Sequence, residues 1–250
     1  MLGMKDAIKR IYNSTEDCFF KHSILFVLTG ITSIFSVALN EFSKQKEIDP
    51  SNWIWAMLGV LFLIILSIYI VGYSFNIMHN SFDENKNDIL PEFDKSNIAT
   101  FNKAFPLMFV WFLYIMFFII GGTILGLFLG KELMPIIVVA IGIFVGILGI
   151  FLQFVYVRFS KYFEKRGLFK ITLPFKYIKP TFGSLFKLWI KFIPLFILNV
   201  ILGALAEGNS LFAYIFTAIS GYISCVSGFI YSFCIVQIYK EKVEPFEDYE

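Results

Sequence analysis

Charge is scarce in this sequence: Asp, Glu, Lys and Arg make up 16% of its 250 residues, where about 25% is usual. The chain has two histidines in different segments, so it lacks the His-Glu-x-x-His pattern of a zinc protease. Its three cysteines, Cys18, Cys225 and Cys234, show no metal or redox spacing and imply no disulfide framework. The net charge of +2 is too mild to indicate a nucleic-acid partner.

Apolar residues are correspondingly abundant. Hydrophobic residues make up 58% of the chain and aromatic residues 19%, with 32 phenylalanines among them. A single core built from 250 residues cannot hide that much apolar surface from water. The composition therefore predicts an all-α integral membrane protein, because no ten-residue alternating segments typical of a membrane barrel are visible.

The gaps between charged residues define the predicted spans. A span needs about 20 mostly apolar residues to cross roughly 30 Å of hydrocarbon. Charge-free stretches, extended where apolar residues continue past a charge, predict six transmembrane helices near 21–39, 53–77, 105–129, 134–157, 188–206 and 211–238. Together they form one polytopic membrane domain over residues 1–250.

The lysines and arginines predict the orientation. Seventeen of them fall in the N-terminal segment, in the loops 78–104 and 158–187, and in the tail, whereas three fall in the loops on the opposite side. The positive-inside rule then places both termini and both long loops in the cytoplasm of a cell whose inner membrane holds the chain.

Short outer loops and long inner loops predict three helical hairpins. Each hairpin is preceded by a segment with amphipathic helical spacing, represented by Ile8 and Ile11, by Ile98 and Phe101, and by Phe182 to Ile193. Such segments are typical of helices that lie in the headgroup plane. We therefore expect a cytoplasmic interfacial helix before each hairpin.

A short motif begins at the end of the second predicted span and continues into the loop after it. Gly72-Tyr73 is followed by a polar stretch and then by Leu90-Pro91-Glu92-Phe93-Asp94. This arrangement resembles an uncharacterised family of prokaryotic multi-spanning membrane proteins, a domain of unknown function with a Gly-Tyr and Leu-Pro-Glu-aromatic-Asp signature. It is also distantly similar to the membrane domain of glycerophosphodiester phosphodiesterases. The resemblance implies a multi-helical membrane fold and no established chemistry.

Polar residues inside predicted spans are the default functional candidates. Here they are Asn76, Gln153 and Asn199, for which interhelical hydrogen bonding is favoured over a substrate site. The acidic residues between Asp83 and Asp94 have the composition of a solvated loop rather than of a metal site. We predict no catalytic residue, no metal and no cofactor.

Small residues recur at four-residue spacing on the third and fourth spans. Such spacing lets two helices approach closely, so we expect these two spans, joined by a very short turn, to pack against each other through their glycine stripes. The predicted packing residues are Gly122, Gly126, Gly130, Gly142 and Gly146.

The segment 158–187 holds eight basic residues and one acidic residue, with aromatic residues interleaved. This composition suits an anionic bilayer surface. The candidate headgroup contacts are Lys165, Arg166, Lys170, Lys176, Lys187 and Lys191.

The leading hypothesis is a non-enzymatic, lipid-interacting scaffold or accessory subunit whose partners are anionic lipids and a second membrane protein or another copy of itself. The alternatives are a small transporter and, third, a membrane-embedded lipid enzyme.

Overall fold

The computed structural model describes residues 4–12, 15–43, 50–83, 89–130, 133–165, 167–206 and 211–247. These residues are predominantly helical and contain no strand. They form α1 (Met4–Ile11), α2 (Thr15–Ser43), α3 (Pro50–Asn80), α4 (Ser96–Leu129), α5 (Met134–Tyr162), α6 (Leu173–Lys176), α7 (Ile178–Leu205), α8 (Leu211–Lys242) and α9 (Glu244–Glu247).

Among the described residues, five helices are long and apolar enough to cross a membrane. Their apolar segments are Met57–Asn80, Ser96–Phe128, Met134–Tyr162, Ile178–Leu205 and Phe212–Lys242. The predicted all-α, multi-span class is thereby confirmed. The first predicted span, 21–39, falls in α2, where the apolar part with described side chains is the shorter Cys18–Thr32. Most of its second half lies outside the described side chains.

The helices extend further into the predicted inner loops than the charge pattern indicated. Helix α4 begins at Ser96 and α7 begins at Ile178, and both continue without a break into their apolar segments. The second and third predicted interfacial helices are therefore the first turns of long helices, which corrects the expectation of separate elements. Pro106 and Pro194 lie inside α4 and α7 without ending either helix.

Buried side chains concentrate at one end of the bundle, which we call the packed end. It consists of the C-terminal parts of α3, α5 and α8 and the N-terminal parts of α4 and α7. The largest fully buried side chains include Trp111, Phe154, Phe159, Phe233 and Tyr239. Helix α8 lies at its centre and contacts α1, α2, α3, α5, α7 and α9.

The opposite half of the bundle exposes large apolar side chains. Examples are Phe117 and Phe128 on α4, Ile136 on α5, Phe196 on α7 and Phe212 on α8. A water-facing surface of this kind would be costly, whereas hydrocarbon accepts it. With 34 residues, α4 is about 50 Å long, so it reaches beyond roughly 30 Å of hydrocarbon.

Candidate functional site

The motif residues of the sequence meet where α3 passes the start of α4, a cluster we call the α3–α4 junction. Gly72 lies directly against the first turn of α4: a Cβ added there would overlap the backbone carbonyl of Asn97. Since this neighbour is backbone, no side-chain rotation could relieve the overlap. The glycine therefore permits the close approach of the two helices.

Aromatic stacking joins the two halves of the motif. The ring of Phe93 stacks on Tyr73, with centroids 4.8 Å apart and planes 23° apart, and on Tyr69 at 6.1 Å and 9°. Tyr73 is buried and also packs against Phe229 of α8. The segment after α3 is thus folded back onto the helix that precedes it.

Asn97 is the polar centre of the α3–α4 junction and is fully buried. Its amide nitrogen donates to the backbone carbonyl of Glu92 at 2.8 Å and to the Tyr69 hydroxyl at 3.0 Å. Its amide oxygen accepts from Asn76 Nδ2 at 2.8 Å, and Thr100 donates to the Asn76 oxygen at 2.8 Å. The two asparagines thus have hydrogen-bonded amide groups, as buried polar groups require, and this geometry suits a structural link between α3 and α4.

Lys21 of α2 attaches a third helix to this junction. Its ammonium donates to the carbonyl of Leu90 at 3.0 Å and lies 3.0 Å from Glu92 Oε1. The Lys21 side chain is 5% exposed, whereas that of Glu92 is 75% exposed. Asn80 donates to the carbonyl of Ile89 at 3.0 Å, so the motif segment is held from α2 and from α3.

The motif ends in a hydrogen-bonded turn at the start of α4. Asp94 Oδ1 accepts from the hydroxyl and from the backbone N–H of Ser96, the latter at 2.9 Å. These hydrogen bonds, the hydroxyl's first, hold the pKa of the exposed Asp94 carboxyl below its ordinary value. The carboxylate therefore has a structural role in the turn that leads into the helix.

Sequence reasoning found Asn76 but missed its partners Asn97 and Thr100, and it missed Tyr69, which accepts from Asn97. A signal was present: Tyr69, Gly72, Tyr73 and Asn76 follow three- and four-residue spacing along one face of α3. That spacing could have indicated a polar and aromatic face, but it could not have identified which helix covers it.

The other predicted intramembrane polar residues also bond between helices. Gln153 of α5 hydrogen-bonds to Tyr231 of α8, and Trp189 Nε1 of α7 donates to the same hydroxyl at 3.2 Å. Asn199 of α7 donates to Ser224 of α8 at 3.0 Å and accepts from Ser220 at 3.3 Å. These contacts join α7 and α5 to α8.

Both histidines take part in contacts between elements. His22 Nδ1 of α2 lies 2.6 Å from the Tyr222 hydroxyl of α8, and the ring of Tyr12 packs on His22 at 4.8 Å. His79 Nδ1 of α3 donates to the carbonyl of Ser160 in α5 at 2.8 Å. The two histidines thus lie in separate contacts between different helices.

The predicted packing glycines fall into two groups. A Cβ added at Gly122 would overlap Ile141 of α5, and one added at Gly126 would overlap Met134. In contrast, nothing lies within 4 Å of a Cβ added at Gly130, Gly142 or Gly146. The expectation that two glycine stripes face each other is corrected: the α4 glycines receive α5 side chains, and those on α5 are exposed.

The basic segment is folded against the bundle between α5 and α7. Trp111 Nε1 of α4 donates to the carbonyl of Leu168 at 3.2 Å, and the Tyr114 hydroxyl donates to that of Phe169 at 3.3 Å. Leu168 is buried, and Gly167 takes a φ of 75° that suits glycine. This segment therefore has a fixed position relative to α4.

The candidate headgroup contacts lie mostly on the surface of this region. Lys170, Lys176, Lys187 and Lys191 are exposed, Lys165 is half-buried, and Arg166 lies outside the described residues. The interleaved aromatic residues divide between two environments, since Phe159 and Tyr177 belong to the core whereas Phe182 and Phe186 are exposed. Only the exposed ones are available to a bilayer surface.

Over the described residues, no group of three or more His, Cys, Asp or Glu side chains is arranged to hold a metal ion. Comparisons with protein-family models, curated proteins and solved structures find no match to this chain.

Proposed function

We propose that the chain crosses the cytoplasmic membrane six times, as the three hairpins α2–α3, α4–α5 and α7–α8, with both termini in the cytoplasm. Contacts between the two helices of each pair support this arrangement. The excess of lysine and arginine in the segments between hairpins supports the orientation. In this arrangement, the packed end of the bundle faces the cytoplasm.

We infer that the protein is a non-enzymatic membrane scaffold or accessory subunit that binds anionic lipid on its cytoplasmic side. The observation that carries this proposal is the anchored basic segment. Trp111 and Tyr114 hold its backbone against α4, while Lys170 and Lys176 remain exposed. Holding bases at a fixed depth beside an apolar helix surface suits recognition of lipid headgroups, since nearby bases contribute about 1 kcal/mol each at an anionic surface.

The α3–α4 junction supports a structural role for the motif. Its buried asparagines use their amides to join helices, as a rigid scaffold requires. The resemblance to a multi-spanning prokaryotic family rests on the same motif residues and agrees with this proposal. The exposed apolar half of the bundle offers area for lipid and for a second membrane protein or another copy of this chain.

A charge-removal variant tests the lipid proposal. In the variant K165Q/R166Q/K170Q/K176Q, we expect membrane insertion to survive, because Arg158 and Lys187 remain near the span ends where orientation is determined. Because the four bases contribute about 1 kcal/mol each, the affinity for anionic lipid should fall several hundredfold at low salt, and the co-purified amount should fall with it. Mass spectrometry of the extracted lipids measures this loss.

The matched control is K165R/K170R/K176R, which preserves the charge and should retain the lipid. Equal retention of anionic lipid by the glutamine variant and the parent would contradict the proposal. The segment would then serve topology alone.

A further inference from the structure

The outward face of α7 carries an ordered row of cationic and aromatic residues at the packed end. Lys179, Gly183 and Lys187 are spaced four residues apart, which places them in one row along the helix. Phe182 and Phe186 occupy the neighbouring row and are 56% and 54% exposed. The opposite face of the same turns is buried through Thr181, Leu185 and Leu188, so the row faces away from the bundle.

Gly183 forms a notch in this row. It is exposed, and nothing lies within 4 Å of a Cβ added there. The flanking lysines are one turn away in each direction, about 6 Å along the axis, and their long side chains are able to converge over the gap. The aromatic rings of Phe182 and Phe186 border it.

The two lysines of the row have no ion pair with any residue that the structure describes. Two cations that flank one notch, with no ion pair to the acidic residues that the structure describes, suit an anion with several oxygen acceptors. Beyond Lys187, the exposed Lys191 continues the row by one more turn, and the exposed Ile190 and Ile193 lie beside it. A cationic notch that continues directly into an apolar helix surface is complementary to a molecule with an anionic head and hydrocarbon chains.

We propose that this notch is a binding site for a single anionic phospholipid. The phosphate lies over Gly183 between Lys179 and Lys187, and the acyl chains run along Ile190 and Ile193. The proposal rests on the proposed orientation and lipid binding, and it goes further by assigning one lipid to a defined site on α7, beside the headgroup contacts of the basic segment. It also adds Lys179 and Gly183 to the candidate residues.

The test uses the full chain purified in zwitterionic detergent and titrated with a short-chain phosphatidylglycerol. Phosphatidylcholine with the same chains is the comparison lipid, and native mass spectrometry gives the bound fraction. We expect the parent to prefer phosphatidylglycerol and the variant K179Q/K187Q to lose about 25-fold in affinity for it, since each base contributes about fivefold. Higher ionic strength should also lower the affinity of the parent for phosphatidylglycerol.

Two control variants isolate the notch. K95Q/K242Q removes two exposed bases from other elements and should leave the affinity unchanged. Gly183→Leu fills the notch and should weaken binding, whereas Gly203→Leu, at an equally open position near the other end of α7, should not. Both glycine positions are helical and exposed, so leucine there is compatible with folding.

The outcomes separate this inference from the proposed function. Undiminished phosphatidylglycerol affinity in K179Q/K187Q and in Gly183→Leu, with the parent still selective, would overturn the α7 site alone. A parent without any preference for phosphatidylglycerol would overturn the lipid-binding function as well. Equal binding of inorganic phosphate in place of the lipid would contradict the role of the acyl chains.

Discussion

Gly72 and Asn97 show at the scale of single residues how two long helices are held together. The absence of a side chain at Gly72 brings the backbone of α3 to the first turn of α4. At the same crossing, Asn97 accepts a hydrogen bond from Asn76 and donates one to the backbone carbonyl of Glu92. Close backbone approach and saturated polar contacts therefore act at the same point, which makes this crossing sensitive to small changes.

We expect Gly72→Ala to lower the free energy of unfolding by about 3 kcal/mol, the upper end of ordinary overpacking costs. The added methyl group would overlap a backbone carbonyl that cannot move aside without separating the helices. The thermal midpoint in detergent should fall by roughly 5–10 °C.

Gly146→Ala is the control for this change, because its added methyl group meets open space. It should melt at the temperature of the parent or slightly above, since alanine favours helix over glycine. A Gly72→Ala protein with the melting temperature of the parent would show that the helices do not approach as closely as described.

At the scale of elements, α4 and α5 pack in an asymmetric way. Gly122 and Gly126 of α4 receive Ile141 and Met134 of α5, respectively. In this contact, side chains of α5 therefore fill the space beside the glycines of α4, and glycine does not pack against glycine. Small residues allow such close approach where hydrocarbon provides no driving force between helices.

This asymmetry predicts different effects for the same substitution on the two helices. Gly126→Leu should destabilise the protein by about 1–2 kcal/mol, because the flexible Met134 side chain must move but is able to do so. Gly146→Leu should leave the thermal midpoint unchanged, since that position is exposed. The thermal midpoints of the two variants in detergent check these predictions. Equal decreases of the midpoint in both variants would contradict the asymmetric packing.

The whole molecule has one packed end and one half with exposed apolar side chains. Helix α8 connects these regions and contacts most of the other helices. The concentration of buried aromatic residues at the packed end means that most of the internal cohesion lies there. The other half depends on surrounding hydrocarbon to cover its side chains.

The orientation of this arrangement in the membrane is open to a direct test. In a variant with its three native cysteines replaced by alanine, single cysteines at Lys44 or Lys131 should react with a membrane-impermeant maleimide in whole cells. Single cysteines at Lys86 or Lys170 should react only after the cells are opened, because the positive-inside rule places them in the cytoplasm. The opposite labelling pattern would reverse the proposed topology.

The sequence by itself determined the all-α membrane class and the places of the long apolar helices. Those features depend on local composition, because a stretch of about 20 apolar residues partitions into hydrocarbon whatever its neighbours are. The charge-free stretches at 104–130 and 133–157 accordingly coincide with the apolar parts of α4 and α5. The predicted helix ends were less accurate, since α4 begins at Ser96 and α7 at Ile178, in both cases before the predicted span begins.

Only the tertiary structure decided which residues meet. Lys21 contacts Glu92 and the carbonyl of Leu90, and Trp111 holds the basic segment through Leu168, although these residues lie on different elements. Such pairs depend on the rotation of each helix about its axis and on its vertical register against its neighbours. Spacing along one chain fixes the face on which a residue lies, but the partner of that face is set by packing among all the helices at once.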